Sequence, residues 1–370
     1  MKNKRTTIVF TDEYNQENAQ AIKDYLASDP NNLAIIIGES EFQSIISKLI
    51  KTRLFNEDGF VMRTAEKAKR KFQSFIIDRL PPQDIKFNPN NVAHAKAYNI
   101  LIRYSPDLIV LNDASVMKDI IAARNKAMPD VPIVMVVTDY IVSHRIINKH
   151  INKFYVDNMA IKTTLVNNNI PENDVILSDF PINTEFDAEF DKQEFFTKYN
   201  FSHDKPTILV SVPHSENAGI REALDVLKDK REKFNVIVDC GKDRNILVYA
   251  REKGITAINE GQCSHPVYAN ADIVIGRPTP LSIAKTFYGE KLFFSLQPKT
   301  ETEQRTVSYL DKKIIPVYNA DSLISRLNDF IENQSAFDET RQEIIEHNAK
   351  RPRGVLFKSL DLLLDLYKTV

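Results

Sequence analysis

The sequence predicts an α/β protein made of two doubly wound, Rossmann-like domains, each a mostly parallel sheet flanked by helices. Three observations lead there. Short Val/Ile/Leu runs recur along the chain, continuous rather than alternating, as strands buried on both faces require. Helix-period segments separate these runs. The chain has 370 residues, and about 100–200 residues per domain leaves room for two cores.

In the first half the strand candidates are Thr6–Phe10, Leu33–Ile37, Asp107–Leu111, Ile133–Val137 and Phe154–Val156. Helical patterns cover Glu17–Ala27 and Ala114–Asn125. The second half repeats the alternation. Its strand candidates are Thr207–Val210, Val236–Asp239, Ile273–Ile275, Leu292–Ser295 and Ile314–Val317. Its helices include Ile220–Lys228, Leu281–Phe287 and Ser322–Ile331. The boundary falls near 181–206: Pro181 follows the last strand of the first half, Asn183–Lys192 is acidic and polar, and Asp204-Lys205-Pro206 opens a new strand. This gives an N-terminal domain at 1–182 and a C-terminal domain at 200–350. Leu356–Tyr367 reads as an amphipathic helix, so 355–370 is expected to cross back onto the first domain. No internal repeat and no low-complexity tract is visible.

Apolar residues make up 43% and charged residues 27%, a globular mixture. A net charge of -1, with no basic domain and no RNA-binding motif, argues against nucleic acid. Cys240 and Cys263 have no Cys or His at ligand spacing, which argues against a metal. The start is basic, but the apolar run Thr6–Phe10 is too short for a secretory signal. No apolar stretch approaches the ~20 residues that span a bilayer. A cytoplasmic protein with reduced thiols is expected. No phosphate-binding P-loop and no nucleophile elbow occur. His94, His150, His203, His265 and His347 are scattered and read as surface or structural.

Glycine is scarce, at 9 residues, where average usage would give roughly 26. Either genomic base composition or the loss of phosphate-cradling loops accounts for this. One segment interleaves basic and aromatic residues: Lys67, Lys69, Arg70 and Lys71, followed by Phe72 and Phe75. It suits an anionic membrane surface. It equally suits a solvated helix face whose Phe residues enter a core.

The most specific signal runs from Ser105 to Phe186. Ser-Pro-Asp-Leu-Ile-Val is followed by a helix, then Val-Pro-Ile-Val-Met-Val-Val-Thr-Asp-Tyr, His144, Phe154-Tyr155-Val156, Asn169-Ile170-Pro171-Glu172 and Phe180-Pro181-Ile182. In the second half, Asp239-Cys240-Gly241-Lys242-Asp243 and Ala271-Asp272-Ile273-Val274-Ile275 with Arg277-Pro278 continue the order. Together these resemble the MGDG synthases and processive diacylglycerol glucosyltransferases, relatives of the transferase that completes lipid II. The resemblance covers about residues 5–310. It implies the GT-B fold, with two Rossmann-like domains facing across a cleft. It also implies a hexose moved from a UDP-sugar to diacylglycerol or a related lipid. The UDP-sugar is then a co-substrate, with no cofactor, and the lipid acceptor lies at an anionic membrane surface on the inner face of the cell membrane.

Several positions depart from that family. The proposed base is a His in the first βα loop, but Asn18 stands there, and an amide cannot accept a proton near neutral pH. Asp139 and His144, which match the family's Thr-Asp and following His, are the candidates left for that role. Donor-side counterparts are His214, Gly219, Arg277, Pro278, Leu281, Ser282, Lys285 and Glu303. Among them the family's Pro-Gly-Gly-Leu-Thr-Ile-Ser-Glu reads Pro278-Thr279-Pro280-Leu281-Ser282-Ile283-Ala284-Lys285. Pro280 removes a donor N–H from the diphosphate-holding turn. Thr279 brings a Cβ, and Lys285 replaces the ribose-binding carboxylate. The resemblance thus implies an active hexosyltransferase. The departures leave open a catalytically degenerate relative that binds a partner glycosyltransferase or envelope enzyme.

Overall fold

The structure is a computed structural model that describes residues 4–12, 15–38, 41, 85–112, 114–142, 146–212, 219–259 and 265–366. The chain divides into two units. One comprises Met1–Thr138, Val142–Asn183 and Arg353–Val370; the other comprises Asp139–Ile141 and Thr184–Pro352.

Arg5–Thr11 carries its one charge at its start and forms β1, followed by α1 (Gln16–Ala27) and β2 (Asn32–Gly38). Then come α2 (Val92–Tyr104), β3 (Leu108–Leu111), α3 (Met117–Ala127), β4 (Ile133–Val136), β5 (Lys153–Val156), α4 (Met159–Asn167) and β6 (Val175–Leu177). The sheet order is β2-β1-β3-β4-β5-β6, and every pairing is parallel. The strands are buried on both faces, as their continuous apolar runs require. Ile8, Phe10, Ile109, Leu111, Ile133 and Met135 face one core with Ala97, Leu101, Ile120 and Ile121 of α2 and α3. Their neighbours Val9, Leu108, Val110, Val134, Val136 and Tyr155 face a second core with Ala19, Ile22 and Leu26 of α1. The alternation follows the two-residue period of a strand.

The other unit holds α5 (Lys192–Tyr199), β7 (Thr207–Ser211), α6 (Ile220–Lys228), β8 (Asn235–Asp239), α7 (Arg244–Glu252) and β9 (Thr256–Ile258). It continues with α8 (His265–Asn270), β10 (Ile273–Gly276), α9 (Pro280–Tyr288), β11 (Leu292–Leu296), α10 (Glu301–Ile314), β12 (Val317–Tyr318), α11 (Ala320–Glu332) and α12 (Asp338–Ala349). Its sheet is also parallel, in the order β12-β11-β10-β7-β8-β9.

The two sheets begin in the same way. Thr6 donates its amide to Asp107 Oδ2 at 2.7 Å and accepts the amide of Asp107 at 2.7 Å. Thr207 does the same with Asp272, at 2.7 and 2.8 Å. Pro106-Asp107-Leu108 and Ala271-Asp272-Ile273 are thus structural counterparts, although the sequence shows no repeat.

The last helix, α13 (Val355–Leu366), belongs to the first unit. Leu356, Phe357, Leu360, Leu363 and Leu364 complete the α1-side core. Phe357 stacks on Tyr25 at 4.5 Å, Tyr25 donates to Asp361 at 2.6 Å, and the Tyr155 hydroxyl meets Ser359 at 2.7 Å. Burial, followed by the Asp361 carboxylate, pushes the Tyr25 hydroxyl up to about 12.

Two expectations change. The apolar run Ile314–Val317 is not one strand: α10 runs to Ile314, and β12 starts at Val317. Pro316 lies between them and has no N–H to give a ladder; it contributes only its carbonyl, to Ser295 N. Strands β6 and β9 add to those expected. Each is a three-residue sheet edge, too short to show a period. The glycine deficit is met partly by other residues in left-handed backbone. Ser105 (φ 42°) and Asn200 (φ 53°) close α2 and α5 where glycine is common.

Two stability outcomes follow. Leu360 has no exposure, so Leu360→Ala should cost about 2–5 kcal/mol, read as faster exchange of the β1 and β3 amides. His347 packs edge-on to Phe287 at 5.4 Å. Burial, then Arg351 and Lys350, lowers its pKa from 6.5 to about 3. The unfolded chain takes up this proton below 6.5 and the folded unit does not, so stability present above 6.5 is lost as pH falls toward 3. His347→Phe should show a shallower decline over that window in urea midpoints of the second unit.

Candidate functional site

In open parallel sheets, ligands gather at the carboxyl ends of strands where the strand order reverses. In the first sheet that place lies between β1 and β3, and in the second between β7 and β10. Both are polar.

At the first, Thr138 follows β4, Asn112 follows β3, and Asn15 precedes α1. Thr138 Oγ1 donates to Asn15 Oδ1 at 2.7 Å and lies 3.4 Å from Asn112 Oδ1. Asn112 Nδ2 reaches the Asn15 carbonyl at 3.5 Å. Asp12 accepts both the backbone and side-chain N–H groups of Asn15, at 2.8 and 3.0 Å, and so orients that amide. Thr138 and Asn112 are buried. Asp139, next in sequence, is exposed. His144 lies outside the described residues.

Asn18 is 1% exposed and donates Nδ2 to the Pro181 carbonyl at 3.1 Å. It ties α1 to the segment after β6. The position that would hold a base in the resembling family therefore serves here as a buried donor, and it has no basic lone pair to offer.

At the second edge, the hydroxyls of Thr279, Ser282, Ser211 and Tyr268 form a chain. Thr279 Oγ1 donates to Ser282 Oγ at 2.8 Å, Ser282 Oγ lies 3.4 Å from Ser211 Oγ, and Ser211 Oγ lies 2.9 Å from the Tyr268 hydroxyl. Thr279 caps α9, taking the Ser282 amide at 3.2 Å. Pro280 is the first helical residue, a position where a missing N–H costs the helix nothing. For an anion the outcome differs: Pro280 has no donor, and the Ser282 donor is held by Thr279. Thr279 itself sits at φ −73°, ψ 144°, ordinary extended backbone, so its Cβ brings no strain. Gly276 is where a side chain cannot fit, because a Cβ would stand 2.9 Å from the Ser211 carbonyl oxygen. The deficit of glycine thus spares a position of close strand approach.

Lys285 is 6% exposed on α9. Its ammonium lies 5.4 Å from the Tyr268 ring centre and 6.0 Å from that of Phe186. The rings offer it cation–π attraction as partial replacement for water. Phe186 also packs edge-on to His265 at 5.2 Å. Burial lowers the His265 pKa, against the opposing pull of Glu185 and Asp187.

Arg277 and Pro278 are buried directly after β10. Arg277 is paired with Glu303, itself buried. Thr300-Glu301-Thr302-Glu303 is a capping box at the start of α10: Glu303 N donates to Thr300 Oγ1 and Glu303 Oε2 accepts Thr300 N. That spacing was readable in sequence. Leu281 is half-buried, and Gly219 (φ 83°) precedes α6 in backbone that favours glycine. His214 lies outside the described residues, as do Lys67, Lys69, Arg70, Lys71, Phe72 and Phe75. The structure thus joins Ser282 to Ser211 and Tyr268, and Arg277 to Glu303. Tyr268 had no sequence signal, since only the packing of α8 on the sheet edge brings it there. No group of three or more His, Cys, Asp or Glu able to hold a metal occurs among the described residues.

Comparison with known proteins agrees with this architecture. The sequence family of monogalactosyldiacylglycerol (MGDG) synthase matches residues 17–182. The processive diacylglycerol beta-glucosyltransferase of Staphylococcus haemolyticus is 23% identical over 224 residues, 59% of this chain and 57% of that protein. The enzyme of that name from Staphylococcus carnosus is 20% identical over 281 residues, 73% and 71% of the two chains. This chain therefore spans just over half the length of the first of these relatives. Among solved structures, Acinetobacter baumannii MurG superposes with a TM-score of 0.55 at 10% identity, covering 99% of this chain and 100% of MurG. The UDP-GlcNAc 2-epimerase of Neisseria meningitidis bound to UDP-GlcNAc gives 0.53 at 12% identity, covering 94% and 100%. The fold is GT-B, and the resemblance to the MGDG synthase and diacylglycerol glucosyltransferase group holds by sequence as well.

Asn18→Ala would leave the buried Pro181 carbonyl without its side-chain donor. A loss of about 1–3 kcal/mol is expected, measured by exchange of the α1 and β6 amides.

Proposed function

We propose that this protein transfers a hexose from a UDP-sugar to the hydroxyl of diacylglycerol or a related lipid. The observation that carries the reading is the MGDG synthase match over residues 17–182, which ends at the segment Asn18 anchors and includes Asn112 and Thr138 of the first cluster. Relatives named as diacylglycerol glucosyltransferases support the lipid acceptor, and a fold relative bound to UDP-GlcNAc supports the UDP-sugar. No helix among the described residues is long and apolar enough to cross a membrane. The acceptor would be met at a membrane surface, with Lys67, Lys69, Arg70, Lys71, Phe72 and Phe75 as the contact and the cytoplasmic face as the side.

The chemistry needs a group that takes the acceptor proton as the glycosidic bond forms. Asn18 cannot do so. Asp139 is an exposed carboxylate next in sequence to Thr138, and His144 is the imidazole nearest it in sequence. Of the two, Asp139 is the assigned base, because it is a carboxylate that faces solvent. On the donor side, His214, Gly219, Leu281, Ser282 and Lys285 supply groups for a nucleoside diphosphate. Lys285, a buried cation on α9, would be the group to meet a phosphate or ribose oxygen.

The test is calorimetry with UDP, followed by incubation of UDP-glucose or UDP-galactose with diacylglycerol vesicles. Binding and a new glycolipid are expected. Asp139→Asn should lower kcat by about 10²–10⁴-fold with UDP affinity unchanged. No heat with millimolar UDP from a folded sample would sink the reading. UDP binding without glycolipid would remove its catalytic half.

A further inference from the structure

One buried charge pair joins the loop that leaves β10 to the loop that leaves β11. Arg277 is the first residue after β10 and has no exposure; Glu303, in the first turn of α10, is 2% exposed. Arg277 Nη2 donates to Glu303 Oε2 at 2.5 Å. The same oxygen accepts the amide of Lys299 at 2.7 Å and of Thr300 at 3.1 Å. A single carboxylate oxygen thus gathers donors from the lead-in to α9 and the lead-in to α10.

Hydrophobic residues of similar volume would fill this space with no charge to desolvate, and such replacements are often neutral or stabilising. An ion pair adds direction, because a planar guanidinium and a carboxylate meet in few geometries. That direction is passed on. Arg277 stands two residues before Thr279, the α9 cap, and Ser282 of the same turn meets Ser211 at the end of β7. The pair therefore bears on the carboxyl ends of three neighbouring strands, β11, β10 and β7. Of these, β10 and β7 flank the reversal of strand order.

We infer that Arg277 and Glu303 are positioning residues: neither touches the ligand, and together they hold the first turns of α9 and α10 in one register to receive a nucleoside diphosphate. This rests on the UDP reading above. Glu303 is occupied by Arg277 and two amides, so its role is exerted through them. Misplacement of a binding turn by about 1 Å is enough to cost large factors in function.

Three variants test this. Glu303→Gln keeps an acceptor for the two amides and leaves the guanidinium without its counter-charge. Arg277→Lys keeps the charge and loses the fork. The double variant Arg277→Met with Glu303→Gln removes both charges. Each single change should lower Tm and weaken UDP binding about tenfold. In the double variant Tm should return toward wild type, since no lone charge stays buried, while UDP binding stays about tenfold weak. UDP affinity that recovers along with Tm would overturn the positioning role. If the double variant folds poorly, Arg277→Lys decides: unchanged UDP affinity overturns the inference. If wild type binds no UDP, the functional reading fails instead. The register role is then judged by amide exchange at Leu281 and Thr302 in the double variant: faster exchange at both supports it, and unchanged exchange overturns it.

Discussion

Two backbone–aspartate exchanges set the register on which the rest depends. Asp107 receives the Thr6 amide and returns its own; Asp272 does the same for Thr207. Each joins the amino ends of the two strands that flank the reversal of order. A slip of one residue there would turn every side chain of the strand to the other face. Because both faces are packed, Val9 and Ile8 would trade unlike cores. With the register held at one end, the other end delivers Asn112, Ser211 and Gly276 to fixed places.

What those edges can do follows from which groups are already engaged. The first has an amide, Asn18, locked to the Pro181 carbonyl, and a cluster in which Asp12 orients Asn15 for Thr138. It offers hydrogen bonds rather than proton transfer. The second has a helix N-terminus that caps itself through Thr279 and a cation, Lys285, held by aromatic faces. Its polar groups are side chains more than backbone amides, since Pro280 has no N–H and the Ser282 amide is taken by Thr279. The glycine deficit has the same logic. Close approach is kept where backbone meets backbone at Gly276, while Thr279 occupies extended backbone that tolerates a side chain.

The expected strands up to Leu292–Ser295 correspond to observed ones because each is an apolar run of three to five residues, or nearly so, between turn signals. Edge strands β6 and β9 were not among the expected ones; each is three residues long and pairs on one side only. Ile314–Val317 misled because apolarity alone does not say whether a residue has an N–H to share, and Pro316 has none. Among site residues, Asn18's inability to act as a base follows from its chemistry, and its burial does not. The Thr300–Glu303 capping box was present in the letters, yet the buried Arg277 partner was not, because 26 residues separate the two.

Sequence by itself determined the α/β alternation, an amide at position 18 and a cation at position 285. These are properties of single side chains or of local periodicity, which survive without a fold. Only the tertiary structure decided what those residues touch. The amide at 18 became a tie to Pro181, Glu303 became the partner of Arg277, and Tyr268 joined Ser211 and Lys285 at one sheet edge. Such pairings lie 17 to 163 residues apart, and only the pairing of parallel strands through crossover helices brings them together.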